Sequence, residues 1–368
     1  MIDELKTILD YLEERIDPID IKRREENHIK ALSFQPLDAP VAQVGYPVRN
    51  FKRFSMEEIH SDVEKMAYNE LVGVLPVVEM ENGGVPMIRA NYGVGILPSA
   101  FGLKCRIVAG NMPWVDAVGQ EGVRAILSRG VPDFADEMSV KVLDTYAFYN
   151  EMLRDYPKCR EAIKIYQPDY QGPFDAAELI YGTDILIDLY DEPELVTELL
   201  ELVTKTYEVG LRKIKPYLND KIGDCIGQWQ FVFPGNILLR DDSAVNLSPS
   251  MYDQFVRPYD DKLLSAFEGG SMHFCGRADQ WIFKMAQSDA ILGYNFGHMD
   301  KLQFGQPYLD FLKSFFFDKR KPIIAYTLKP HELEDFDFTK YRTGVTYSVP
   351  TGSREEAENI YKKYFKAK

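Results

Sequence analysis

Strand-like runs separated by helical stretches fill most of the chain after residue 85, and this alternation constrains the fold more than any other feature. The runs are "VPMIRANY" (85–92), "AIKIYQPD" (162–169), "KIGDCIGQW" (221–229), "SMHFCG" (271–276), "AILGYNFG" (290–297), "KPIIAYTL" (321–328) and "GVTYSV" (344–349). Helical patterning lies at 176–190, 192–218, 249–268, 278–288, 305–317 and 353–366. Alternation of this kind implies parallel strands joined by crossover helices. Seven such strands, with an eighth in or near "CRIVAG" (105–110), predict an α/β chain closed into a (β/α)8 barrel of the TIM type. The competing doubly wound open sheet would carry a G-x-G-x-x-G turn after a strand, and no strand here is followed by one.

Segments 1–33 and 56–72 read as helices, because apolar residues such as Ile2, Leu5, Ile8, Leu9 and Leu12 recur at three- and four-residue steps. The expected organisation is therefore an N-terminal helical extension (1–72) packed on a barrel (73–368). No Gly/Ser-rich linker, low-complexity tract or fixed-period repeat interrupts the 368 residues.

Charge and apolar content narrow the partners. With 43 basic and 57 acidic residues the net charge is −14, which disfavours nucleic acid and anionic membranes. No apolar run approaches the roughly 20 residues of a membrane helix, and "MIDELKTILDYLEERIDPID" mixes acidic and apolar residues where a signal peptide would be basic and then hydrophobic. A cytoplasmic protein is the expectation. Cys105, Cys159, Cys225 and Cys275 are widely scattered without a CxxC pair, so free thiols are expected instead of a disulfide framework.

In a barrel of this type the chemistry sits at the C-terminal ends of the strands. Asn91, Tyr92, Asp169, Tyr170, Gln228, Trp229, His273, Cys275, Asn295, His298, Tyr326 and Tyr347 all fall at or just past such ends. Within "GGSMHFCGRAD", His273 and Cys275 are two apart, so on a strand they face the same side and offer an imidazole nitrogen and a thiolate to one point. That is two-thirds of a catalytic zinc site, which takes three protein ligands and keeps one position open. From spacing alone the pair reads more readily as a core histidine beside a small buried thiol. Asp241, Asp242, Ser243 and Asn246 precede a helix with Ser248 as N-cap and Pro249 at its first position, and read either as turn formers or as substrate-facing loop residues.

The runs "YQGPFDAAELIYGTDILIDLYDEPELVTELLELVTKTYEVGL" (170–211), "RDDSAVNLSPSMYDQFVRPYDDKL" (240–263) and "MHFCG" (272–276) resemble, in that order, the uroporphyrinogen decarboxylase superfamily over roughly residues 25–365. The resemblance implies a TIM-type barrel and one of two activities. The haem-pathway decarboxylase carries an R-Q-A-G-R-Y stretch for its carboxylate-rich substrate; here Arg23, Arg24, Arg49 and Arg53 lack that pattern, and Asn91 stands where an acid is expected. The zinc-dependent methyltransferase branch uses H-x-C-G and a later cysteine. His273, Cys275 and Gly276 match the first part, whereas the counterpart of the cysteine is Tyr347, which leaves Glu79, Cys225, His298 and Tyr347 as candidates for the third ligand.

What the resemblance implies is zinc on His273 and Cys275, a corrinoid carried by a separate protein, and a small methyl donor or acceptor. Gln228, Asp241 and Tyr347 are expected to be catalytic, and Asn91, Tyr92, Tyr170, Trp229, Asn246 and His298 to bind substrate. A decarboxylase, or a non-catalytic barrel binding a tetrapyrrole or corrinoid, is the alternative.

Overall fold

A computed structural model describes residues 1–107, 110, 112–297 and 305–367. Thirteen strands are formed among them: β1 (Val41–Gly45), β2 (Met87–Ile88), β3 (Cys105–Arg106), β4 (Trp114–Val115), β5 (Lys164–Ile165), β6 (Lys221–Ile222), β7 (Cys225–Gln228), β8 (Phe231–Pro234), β9 (Leu238–Arg240), β10 (Gly270–Cys275), β11 (Ile291–Gly297), β12 (Ile323–Thr327) and β13 (Val345–Pro350). The central sheet is parallel and six-stranded, in the order β1-β13-β12-β11-β10-β9, and β2 and β5 form a separate parallel pair. Among the described residues 16 α-helices surround these strands, an α/β architecture compatible with a TIM-like fold.

The two parallel groups are joined by isolated hydrogen bonds instead of a ladder. At one junction the Gln167 side chain donates to Leu238 O (2.8 Å) and Gly172 N donates to Arg240 O (2.6 Å). At the other, Asn82 donates to Val44 O (2.8 Å) and Gly83 N donates to Ala42 O (2.9 Å).

Three expectations need correction. The segment "CRIVAG" does not enter the parallel sheet, since β3 pairs antiparallel with β4; Val108 and Ala109 lie outside the described residues. The run "KIGDCIGQW" is not a parallel strand either, for β6, β7 and β8 form an antiparallel meander. The parallel strand of that region is the three-residue β9, too short to show a period. Finally, β1 comes from the segment read as a helical extension, and it pairs with the last strand, β13. The sheet therefore crosses the boundary drawn at residue 72.

Helix starts follow local chemistry. Helices α1 (Asp3–Arg15) and α2 (Pro18–Leu32) are divided by Asp17, whose side chain caps Ile19 N, with Pro18 at the first helical position. Ser55 and Glu58 form a reciprocal capping box at α3 (Met56–Ser61), and Asp62 caps α4 (Val63–Val78). Ser248 caps the helix Pro249–Phe255 as its sequence predicts. Both faces of β10 and β11 are largely buried, as expected for central parallel strands. Met272 and Phe274 are in the core, Phe274 packing on Trp281 (5.5 Å) and Phe296 (5.1 Å), so alternation turns Ser271, His273 and Cys275 to the other side of the sheet.

Candidate metal centre

His273, Cys275 and Asp242 meet at the C-terminal ends of β9 and β10. The register pairs His273 with Arg240, so Asp242, two residues on, lies level with Cys275. His273 Nε2 is 3.5 Å from Asp242 Oδ1 and 3.6 Å from Cys275 Sγ, and one donor atom from each residue lies within 4.8 Å of the others. Cys275 N donates to Asp242 Oδ1 at 2.5 Å, which ties the loop after β9 to the end of β10. Among the described residues this is the one group of three acidic, histidine or cysteine side chains with metal-binding spacing.

Close packing leaves room for these side chains through a glycine. A Cβ at Gly297 would lie 2.5 Å from Cys275 Sγ and 3.1 Å from His273 Cε1. Burial lowers the His273 pKa, so its imidazole is neutral near pH 7 with a nitrogen free to bind a cation. Burial, reinforced by the Asp242 carboxylate, pushes the Cys275 thiol up to about 12, so without a bound cation the sulfur keeps its proton.

The imidazole is oriented from two sides. Asn295 Nδ2 donates to Ile324 O (2.7 Å), which turns Asn295 Oδ1 toward His273 Nδ1 at 2.5 Å. Nδ1 then carries the proton and donates, and Nε2 presents its lone pair to Asp242 and Cys275. On the ring face stands Trp229, edge-on at 4.9 Å, with the Arg240 guanidinium 4.7 Å above the indole.

Next to these lies a buried charge network. Asp169 pairs with Arg89 (3.4 Å) and with Arg240 (3.4 Å). Burial alone would raise the Asp169 carboxyl, but the two guanidiniums outweigh it and hold the pKa below the ordinary value. Arg240 also donates to Gln228 Oε1 (3.3 Å), Pro168 O (3.1 Å) and Tyr170 O (3.2 Å). Arg89 donates to Asn91 Oδ1 (3.0 Å), and Asn91 Nδ2 donates to Glu70 Oε1 (3.1 Å). Two arginines thus do converge, but on Asp169.

The structure brings His273, Cys275 and Trp229 together, with Gln228 and Asn91 attached through Arg240 and Arg89. Others stand elsewhere. The Asp241 carboxylate points away from the triad into a buried acidic group with Asp175 and Asp260; burial pushes it up to about 7, and a Cβ at Gly172 would lie 2.2 Å from it. Tyr92 is enclosed by Thr145 (2.8 Å) and His60 (5.2 Å), and the Tyr170 ring packs on Tyr207 (5.3 Å). Asn246 is exposed and closes its own turn by donating to Ser243 O. Tyr347 packs against Phe336 (5.6 Å) and Phe338 (5.2 Å) and donates to Tyr341 O (2.8 Å), which occupies its hydroxyl.

Of the remaining third-ligand candidates, Glu79 accepts from Tyr11 and Tyr46 (2.6 Å each) and pairs with Arg354, and Cys225 opens β7 outside the triad. His298 lies outside the described residues. The residue that joins His273 and Cys275 is Asp242. Its signal was parity: two residues beyond Arg240 on one strand, as Cys275 is two beyond His273 on the next.

No family model matches the chain, and no curated protein matches it in sequence. Among solved structures it is similar to a methyltransferase from Methanosarcina mazei, with a TM-score of 0.60 and 16% sequence identity over 92% of this chain and 98% of that one. At that identity the likeness is one of fold.

Proposed function

We propose that this protein is a zinc-dependent methyltransferase that moves a methyl group between a small substrate and a corrinoid carried by a separate protein. The observation that carries this reading is the convergence of Asp242, His273 and Cys275, three donors of O, N and S type that suit zinc and leave a fourth position open. The space kept by Gly297 against both Cys275 and His273 fits the same purpose. Support from outside the chain is the fold likeness to a protein described as a methyltransferase. The motif H-x-C-G at 273–276 and the runs at 170–211 and 240–263 support membership of the uroporphyrinogen decarboxylase superfamily. In this reading the strands β1, β2, β5 and β9–β13 close into one eight-stranded barrel.

Asp242, His273 and Cys275 would hold the metal. When bound, zinc would keep a substrate thiol as its thiolate at neutral pH, or polarise a methyl donor. The chain's own residues prepare that position. Asn295 fixes the tautomer of His273, Trp229 stands edge-on to its ring with Arg240 stacked on the indole, and Cys275 would give up its proton to a bound metal. No helix among the described residues is long and apolar enough to cross a membrane. The proposed setting is the cytoplasm, where the four free thiols stay reduced.

The test is methyl transfer itself. Zinc-loaded protein is mixed with methylcobalamin and a small thiol, and loss of the methylcobalamin absorbance is followed with the thioether product. Zinc-dependent transfer, lost in His273→Ala, is the expected result; equal rates with and without protein would refute the proposal.

A further inference from the structure

The turn joining β7 to β8 holds two consecutive residues in the left-handed region, Trp229 (φ +49°) and Gln230 (φ +69°). Two-residue hairpin turns of this geometry suit the twist of the strands, but they favour Asn and Gly, because a Cβ is crowded there. Gln230 is fixed in place by bonds of its own. Its backbone carbonyl accepts from Val85 N (2.9 Å), its side-chain oxygen from Gln43 (3.1 Å), and its amide donates to Gly73 O (2.7 Å). Trp229 makes no such bond to the described residues. What it does is stand edge-on to His273 at 4.9 Å beneath Arg240, while the same half-buried indole lines a 260 Å³ cleft.

That cleft is also lined by Arg53, Glu70, Met87 and Tyr166. It is an open cleft on the scale of a small molecule. Glu70 already accepts from Arg89 N (3.0 Å) and from Asn91, and the Gln230 side chain is bonded through both its oxygen and its nitrogen, so much of the polar lining is satisfied. A strained backbone that persists beside a reactive centre points to a role for the side chain it presents.

We propose that Trp229 is the specificity-determining residue of the metal centre: its indole is the wall between this cleft and the triad, and it limits the group that reaches the fourth ligand position to a small one. The proposal rests on the reading of Asp242, His273 and Cys275 as metal ligands. It explains why a bulky residue occupies a turn position where glycine would be relaxed. Filling the space beside His273 rejects larger ligands by overlap, a means of selection that needs no added polar contact.

The test uses protein loaded with Co2+ and titrated with ethanethiol and with naphthalenethiol, reading the cobalt–thiolate charge-transfer absorption. Wild type is expected to prefer ethanethiol, and Trp229→Ala to shift the ratio of the two affinities toward naphthalenethiol by about tenfold or more. Should that variant not fold, Trp229→Phe, which keeps a smaller ring, is expected to shift the ratio in the same direction by roughly threefold. Normal Co2+ uptake with an unchanged ratio in the folded variants would overturn the role of Trp229 and leave the metal centre standing. Failure of wild type to take up Co2+ would defeat the metal reading, and the proposal with it.

Discussion

Cys275 N donates to Asp242 Oδ1 at 2.5 Å, so one carboxylate both braces the end of β10 and faces the His273 imidazole. Asp242→Asn keeps an oxygen for the backbone bond but removes the charge. The variant is expected to fold normally and to bind zinc at least about tenfold more weakly, measured by competition with a chromogenic chelator. Unchanged affinity would show that Asp242 serves the loop and not the metal.

Asn295 carries the orientation of the imidazole. Asn295→Ala frees His273 Nδ1 from its partner and allows either tautomer. Zinc affinity is expected to fall about 10–100-fold with the fold intact by circular dichroism. Wild-type affinity in this variant would mean that packing against Trp229 alone sets the ring.

Tyr347 separates the structure from the motif-based expectation. Its hydroxyl is buried and donates to Tyr341 O. Tyr347→Phe is expected to lower stability by about 1 kcal/mol in urea denaturation, the net worth of one such bond, and to leave zinc content unchanged. Loss of zinc would restore the phenol as a ligand.

His28 supplies a pH dependence outside the triad. It is fully buried, its Nε2 lies 3.0 Å from Gly83 O, and burial lowers its pKa from the ordinary 6.5 to about 4. A histidine whose pKa is depressed by folding binds protons more readily when unfolded, so its contribution is present above pH 6.5 and fades as the pH falls toward 4. About 3.5 kcal/mol is at stake, for a fall from 6.5 to about 4 at roughly 1.4 kcal/mol per pKa unit. His28→Gln is expected to flatten the loss of stability across that window, read as urea midpoints at each pH; a slope equal to wild type would contradict the assignment.

The legible parts of the sequence were those written in local patterns. Short β-rich runs bounded by helical stretches placed β10 to β13 within a residue or two, and the side-by-side placement of His273 and Cys275 followed from strand geometry alone. What escaped notice was decided by tertiary contact. The strand β9 is three residues long, and β1 finds its place only by pairing with β13, some 300 residues away. The run 221–229 read as one parallel strand although β6 and β7 are both inside it, paired antiparallel across the tight turn at Gly223–Asp224, and β8 went unread because the next turn, Trp229–Gln230, lacks the Asn or Gly that marks such turns. Asp241 and Asp242 are indistinguishable in sequence, and only the register of β9 against β10 decides which carboxylate faces His273.

The central claim is that Cys275, with His273 and Asp242, holds a zinc ion, and metal content tests it most directly. Protein purified without chelators and analysed by inductively coupled plasma mass spectrometry is expected to carry about one zinc per chain, as a single three-ligand site requires. In Cys275→Ser most of that zinc should be lost, because a hydroxyl stays protonated where the thiol yields a thiolate. Wild-type protein that is metal-free and takes up no zinc on addition, or a Cys275→Ser variant that retains a full equivalent, would contradict the account.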